Sequence, residues 1–454
     1  MRGMGMRQTK QRNGAVRRLW LFMLLAAMTA GALMISLSAC SPSEPSGGIA
    51  GDDVQGAQDG QEHSDGQETP APLSPVQLSI LCAGDVMAHE TQLKAQYDAV
   101  TDTYDFSNNY MYVKKYIEQA DLAICNVETT FRGGKPTGYP AFNSPDSLAD
   151  ALKGAGFDIA ATANNHMMDT GFDGMQRTLQ VLRDAGLTTT GSRFAGEKSY
   201  SITDVKGVSV AVVAATYETP VVNGSRTING NRLSEEARAL INSFGYETLD
   251  QDLQALKESI ADARAAGAQI VVAYLHWGEE YQRSPNDWQQ RIAETVAGFG
   301  ADVIFASHPH VLQPVDYLYV KDDGSVLSAE EAASAADARK VPVFYSLGNF
   351  ISNQRQETLD NRYTEQGMLA GVELVWDAQN QRISDISMNV LPVWVDRYKV
   401  GGTQNYRLIP LDGDMEQNEA LGVSGHLQRA KQALEDVRAL IGNQFLHDNC
   451  PQAQ

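Results

Sequence analysis

Ala301-Asp302-Val303-Ile304-Phe305-Ala306-Ser307-His308-Pro309-His310 is an apolar run that breaks into a histidine turn. The first half is hydrophobic and short enough to be a buried strand. The second half sets two imidazoles about a proline, which fixes its own φ and restricts the residue before it. Rings held in that way at the end of a strand suit a metal ion. Taken alone, such a turn more often serves as a polar turn facing water.

The pattern recurs along the chain. Residues 77–83 run into Gly84-Asp85, and 122–125 into Asn126-Val127-Glu128. Residues 157–161 end in Thr162-Ala163-Asn164-Asn165-His166, 208–215 near Thr216-Tyr217-Glu218, and 269–275 in His276-Trp277-Gly278-Glu279-Glu280. Between these apolar runs the spacing predicts helices over 109–119, 147–154, 173–185, 249–266 and 287–299. Ser144-Pro145-Asp146 supplies a start signal for the second of them. Strand, turn and helix in alternation imply a parallel sheet with crossover helices. Ligand sites in such sheets gather beyond the carboxyl ends of the strands. Asp85, Glu128, Asn165, His166, His276, His308 and His310 are therefore expected at one edge, and His89 follows the first of these turns. Beyond the histidine turn, 315–320, 341–345, 368–376 and 383–390 are strand-like with short connections, which predicts an antiparallel section. Residues 218–247 show no clear period and read as an excursion or lid. A polar, amphipathic helix is expected over 424–441.

A carboxylate set between two cations can bridge them, and imidazole with amide oxygen fits Mn, Zn or Fe better than Ca. The expected cofactor is thus a divalent metal, as a pair of ions able to activate water for a displacement.

The quoted motifs, with Phe142-Asn143-Ser144-Pro145 and Tyr345-Ser346-Leu347-Gly348-Asn349-Phe350, resemble the CapA family of bacterial poly-γ-glutamate capsule biosynthesis proteins. The resemblance runs from about residue 77 to about 397. That family is in turn similar to calcineurin-like metallophosphoesterases. The implied fold is α/β, a metallophosphoesterase-like two-sheet sandwich flanked by helices (α/β/β/α). Carried over by position, Asp85 resembles the first metal carboxylate and Glu128 the bridging one. Asn165, His276 and His308 resemble the ligands of one ion, and His310 a ligand of the other. His166 resembles the histidine that gives a proton to the leaving group. The pattern departs at Met87, where the phosphoesterases have a ligand histidine; a thioether is a poor ligand for such ions, and His89 is the nearest substitute. Substrate contacts are expected from Asn143, Ser144, Asn349, Gln354 and Arg355. Arg355 could pair with a carboxylate in two-pronged geometry or be an ordinary surface arginine. Trp277 reads as packing. The implied activity is that of a hydrolase or transferase on poly-γ-glutamate or a related anionic envelope polymer, with a polymer synthase or export complex as partner. The alternative is a non-catalytic component of the same fold that binds the polymer with the help of metal.

The termini suggest an address. Arg2, Arg7, Lys10, Arg12, Arg17 and Arg18 precede an apolar run from Leu19 to Leu37, and residues 1–40 contain no acid. This is the layout of a secretory signal, and Leu37-Ser38-Ala39-Cys40 resembles a bacterial lipobox with Cys40 lipidated. An uncleaved membrane anchor is the other reading of the same run. Either places the body outside the cytoplasmic membrane. Residues 41–75 are polar and too poor in apolar groups to fold, so they read as a tether. Residues 76–400 are expected to be the CapA-like domain of metallophosphoesterase fold and 401–454 a C-terminal extension with one amphipathic helix. A net charge of -20 makes a nucleic-acid partner a poor match. Cys82 and Cys125 lie in apolar runs and read as buried thiols that would meet only if their strands are neighbours.

Overall fold

The computed structural model describes residues 74–335 and 337–450. The leader, Cys40 and nearly all of the tether lie outside the described residues. Among the described residues no helix is long and apolar enough to cross a membrane.

Two eight-stranded sheets form the body. The first takes Val76–Val86 at its centre, with Leu122–Val127, Ile159–Ala161 and Thr188–Thr190 parallel on one side. On the other side Gln366–Asp377, Arg382–Val400 and Thr403–Pro410 follow as an antiparallel meander. The second sheet runs through Val208–Tyr217, Ile270–His276, Val303–Ser307 and Arg339–Phe344 in parallel, and Val315–Val320 closes it antiparallel. The strands buried on both faces are the continuous apolar runs seen in the sequence, as expected of covered parallel strands.

The inward faces of both sheets share one core, including Ile80, Ile124, Val212, Val272, Phe305 and Ala370. Helices Glu90–Gln96, Ser147–Ala155 and Gly171–Asp184 lie with the first sheet, whose outer face carries a second core. Helices Leu249–Ala265 and Asp287–Gly298 cover the second sheet over a third. The layers are therefore α/β/β/α. The two cysteines illustrate the pleat: their strands are neighbours, yet Cys82 opposes Ile124 and Cys125 opposes Ala83. They project into different cores and both are free thiols.

Several expectations need correction. Residues 109–119 hold only a 3-10 turn, Ser107–Asn109, and the single helical turn Lys114–Ile117. The Asn109 amide donates to Tyr406 O at 2.8 Å, a long-range bond that ties this segment to the Thr403–Pro410 strand. The body does not stop at residue 400, because Thr403–Pro410 pairs along the whole end of the 19-residue strand before it. Residues 218–247 are structured: Thr219–Val222, Ser225–Ile228 and Asn231–Arg232 form a small sheet, and Ser243–Phe244 rejoins the second large one.

Candidate metal centre

The carboxyl ends of strands from both sheets meet at one edge. Gly84 makes the first approach possible. A Cβ there would lie 2.0 Å from Gly348 O, so only glycine lets the 346–349 turn pass. Asp85 then donates its N–H to Gly348 O and sits in register with Asn349. Asp85 Oδ1 accepts from the Asn126 amide at 2.8 Å, and Oδ2 lies 3.0 Å from His310 Nδ1. Burial opposes ionisation of Asp85, but the hydrogen bond to His310, the nearby imidazoles and the Asn126 amide draw its carboxyl below the usual range.

The histidine turn is strained. His308 has φ 108° and His310 φ 57°, conformations uncommon for residues with a Cβ and found where surrounding structure enforces them. The Asn349 amide donates to His310 O at 3.2 Å and to Thr364 O at 2.9 Å, and the Ser346 hydroxyl donates to Val311 O at 2.7 Å. These bonds hold the turn. His308 and His276 face each other with ring centroids 4.9 Å apart, and the Tyr217 ring lies 4.7 Å from His308. His276 Nε2 is 2.8 Å from Asn165 Oδ1.

Glu128 stands between these groups. It is fully buried, and neither carboxylate oxygen has a hydrogen-bond partner. Its Oε1 lies 3.7 Å from His276 Nε2 and 3.9 Å from His310 Nε2. Burial, then the Asp85 charge, push the Glu128 carboxyl well above the usual carboxylate range. His308 is equally exposed to the cost of burial: its Nδ1 is an orphan, and burial with the neighbouring imidazoles drives its pKa well below the ordinary value. Burial likewise lowers His276 to about 3. Two sets can hold a cation, Glu128/His276/His308 and Asp85/Glu128/His310, each with its ligand atoms within 4.8 Å of one another. Orphaned buried acceptors and neutral imidazoles around a shared carboxylate are what a metal pair requires. The residues present fit the group.

Other sequence candidates fall differently. His166 Nδ1 lies 2.7 Å from Asp169 Oδ2, and the His166 ring meets Phe142 edge-on at 4.7 Å. His89 joins neither set. It opens the helix Glu90–Gln96, and its Nδ1 accepts the Asn353 N–H at 3.3 Å. Met87 is buried, and its backbone bonds to Ile351 O and the Gln92 amide. Asn143 is spent on its own loop: Oδ1 accepts from Arg132 N at 2.8 Å, and the amide donates to Gly133 O and Lys135 O. The Ser144 hydroxyl pairs with Thr129 at 2.8 Å, behind Glu128. Gln354 bridges Asn349 to the Tyr281 hydroxyl. Arg355 is not a surface residue. It is fully buried, with Nε donating to Glu357 at 2.7 Å and Nη2 3.5 Å from Glu365. Trp277 is buried and donates to Tyr345 O, a packing role.

Residues 79–354 match the family model described as bacterial capsule synthesis protein PGA_cap. The chain belongs to this family. Every residue of both candidate sets falls inside the span matched by PGA_cap. Similar proteins include the capsule biosynthesis protein CapA of Bacillus anthracis, 26% identical over 285 residues, covering 61% of this chain and 60% of that one. The PGA biosynthesis protein CapA of Bacillus subtilis (strain 168) is 30% identical over 286 residues, covering 61% and 64%. The chain thus spans less than two thirds of the length of these relatives. Among solved structures, the calcineurin-like phosphoesterase YfkN from Bacillus subtilis aligns at TM-score 0.40 and 17% identity, over 80% of this chain and 100% of that one. This likeness says nothing of chemistry.

Asp169, Tyr217 and Asn126 join the site beside the residues expected from the sequence. Asp169 had a signal, an acid three residues after His166 at the entry to a helix. Tyr217 had one too, an aromatic at the end of a parallel strand.

Proposed function

We propose that this chain is a divalent-metal-dependent hydrolase or transferase acting on poly-γ-glutamate or a related envelope polymer. In this reading it is tethered by lipidated Cys40 at the extracytoplasmic face of the bacterial membrane, beside a polymer synthase or export complex. The relatives' names support the polymer, and the leader pattern supports the address. The observation that carries the catalytic reading is Glu128, a buried carboxylate with both oxygens unpartnered between two sets of ligands.

Asp85, Glu128 and His310 would hold one ion; Glu128, His276 and His308, with Asn165 beside them, would hold the other. Mn, Zn and Fe suit this mixture of carboxylate and imidazole. When bound, such a pair supplies Lewis acidity and a water made acidic near neutral pH. The Tyr217 ring packs beside His308, with centroids 4.7 Å apart. His166, its Nδ1 tied to Asp169, is left with its second ring nitrogen to give a proton to a leaving group, a role that needs reach more than metal contact. Met87 favours a second reading, a metal-assisted polymer holder without turnover, because the set around Asp85 lacks the ligand that position would supply.

Metal-replete protein assayed with phosphoester and γ-glutamyl substrates separates the two. Turnover that His166→Ala abolishes, at unchanged metal content, supports the enzyme. Tight metal-dependent polymer binding with no turnover overturns it in favour of the holder.

A further inference from the structure

A cavity of about 260 Å³ opens beside His166. Its walls come from four separate segments: Tyr139 on one loop, Asn165, His166 and Asp169 on another, Asn229 and Asn231 on the small sheet, and Glu280 on the loop after His276. No lysine or arginine lines it. Asp169, the other acid in the wall, already pairs with His166. Glu280 makes no ion pair among the described residues.

Each wall is held in place. Glu280 lies between Gly278 (φ 90°) and Tyr281 (φ 66°), and Tyr281 donates its N–H to Pro309 O at 2.8 Å. The Gln313 amide ties down Gln282 O and Ser284 O at 2.9 and 3.1 Å. The Glu280 loop is thereby pinned to the histidine turn itself. Asn229 (φ 49°) and Gly230 (φ 75°) form the two-residue turn between Ser225–Ile228 and Asn231–Arg232. Positive φ at both positions is the hairpin geometry for which Asn-Gly is favoured. Ile228 roots that hairpin among Met167, Met168 and Met175, next to His166. Tyr139 is exposed and its ring lies 6.4 Å from Phe142, which in turn packs on His166.

We infer that this cavity is a subsite for an ammonium group, the free amino end of a peptide-like polymer, with Glu280 as counter-charge and Tyr139 as an aromatic face. A phosphate, or a carboxylate with no ammonium beside it, would meet Glu280 with no lysine or arginine in the wall to offset the repulsion. An ammonium is matched by both the carboxylate and the ring. The two asparagine amides offer donors and acceptors to the amide bond that follows an amino end. This inference rests on the proposed function: the amino end of a γ-linked chain carries its ammonium and an α-carboxylate on one carbon, so Glu280 would take the ammonium, the asparagine amides would donate to that carboxylate, and the remaining carboxylates of the chain would stay outside.

The test uses the full chain, metal-loaded and metal-free, titrated by calorimetry with γ-linked triglutamate bearing either a free or an N-acetylated amino end. The free-amine probe should bind about tenfold tighter, the sum expected of a part-exposed ion pair and a cation–π contact. Glu280→Gln should remove that preference, and Glu280→Lys should reverse it. An unchanged melting temperature in both variants shows that the fold is intact. Equal binding of the two probes, binding of neither, or a preference that survives in Glu280→Gln overturns the inference. Binding is read without turnover, so the two proposals fail separately. Preference without turnover sinks the enzyme and keeps the subsite; turnover without preference does the reverse.

Discussion

Glu128 shows what a single residue can settle. Without a cation it is a liability, a desolvated carboxylate near Asp85 whose pKa is raised by burial and that charge. The sign of its effect on stability follows. The folded state holds its proton to higher pH than the unfolded chain does, so this group's contribution falls as pH rises above the unfolded carboxylate value of about 4.3. Glu128→Gln removes that penalty. Metal-free Glu128→Gln should therefore melt higher than the metal-free parent at pH 8, with the gap closing toward pH 4, as read by calorimetry. The same variant should lose bound metal by elemental analysis, a trade of function against stability common at active sites. In the proposed enzyme Asp169, 2.7 Å from His166 Nδ1, would act through that histidine as a positioning residue. Asp169→Asn should lower kcat and kcat/KM together by about 10–100-fold with metal content unchanged. A change in KM alone would contradict that role.

At the scale of elements, the site depends on close passages between backbones. Gly84→Ala would drive a Cβ into Gly348 O. Overpacking of this kind costs about 1–3 kcal/mol, and here it would also displace Asp85. Urea denaturation should show the loss, with lowered metal occupancy beside it. The small hairpin is the weaker element, because it rests on a satellite cluster with Ile228 at its root. Ile228→Ala should cost about 2–5 kcal/mol, and it should do so locally. Hydrogen exchange should speed up across residues 219–232 while Val208–Tyr217 stays protected.

For the whole molecule, two sheets bring opposite halves of the chain to one centre, so a bound cation clamps the sandwich. Metal at a hundred times its Kd should stabilise the fold by about 2.7 kcal/mol, a rise in Tm of about 3 °C for a body of this size. A chelator should reverse it. No change in Tm between chelated and metal-replete protein would show that the two sets do not hold metal. The layered architecture was legible because strands covered on both faces must be apolar along their length, and the polar turns that end them stand out. The hairpin was not, since its short strands alternate weakly and its order comes from Met167, Met168 and Met175, far away in sequence.

The chain by itself determined the parallel strands, their helices and the polar residues at their ends, because burial and periodicity are local properties of a segment. It also marked Gly84 and the histidine turn. Tertiary structure alone decided which of those residues share a centre. Asp85, Glu128 and His310 converge, whereas His89 is held at a helix start, Asn143 is consumed by its own loop and Arg355 is sealed between Glu357 and Glu365. The reason is that a side chain's free valences depend on partners that reach it through sheet register and loop packing, which residue spacing along one strand does not encode.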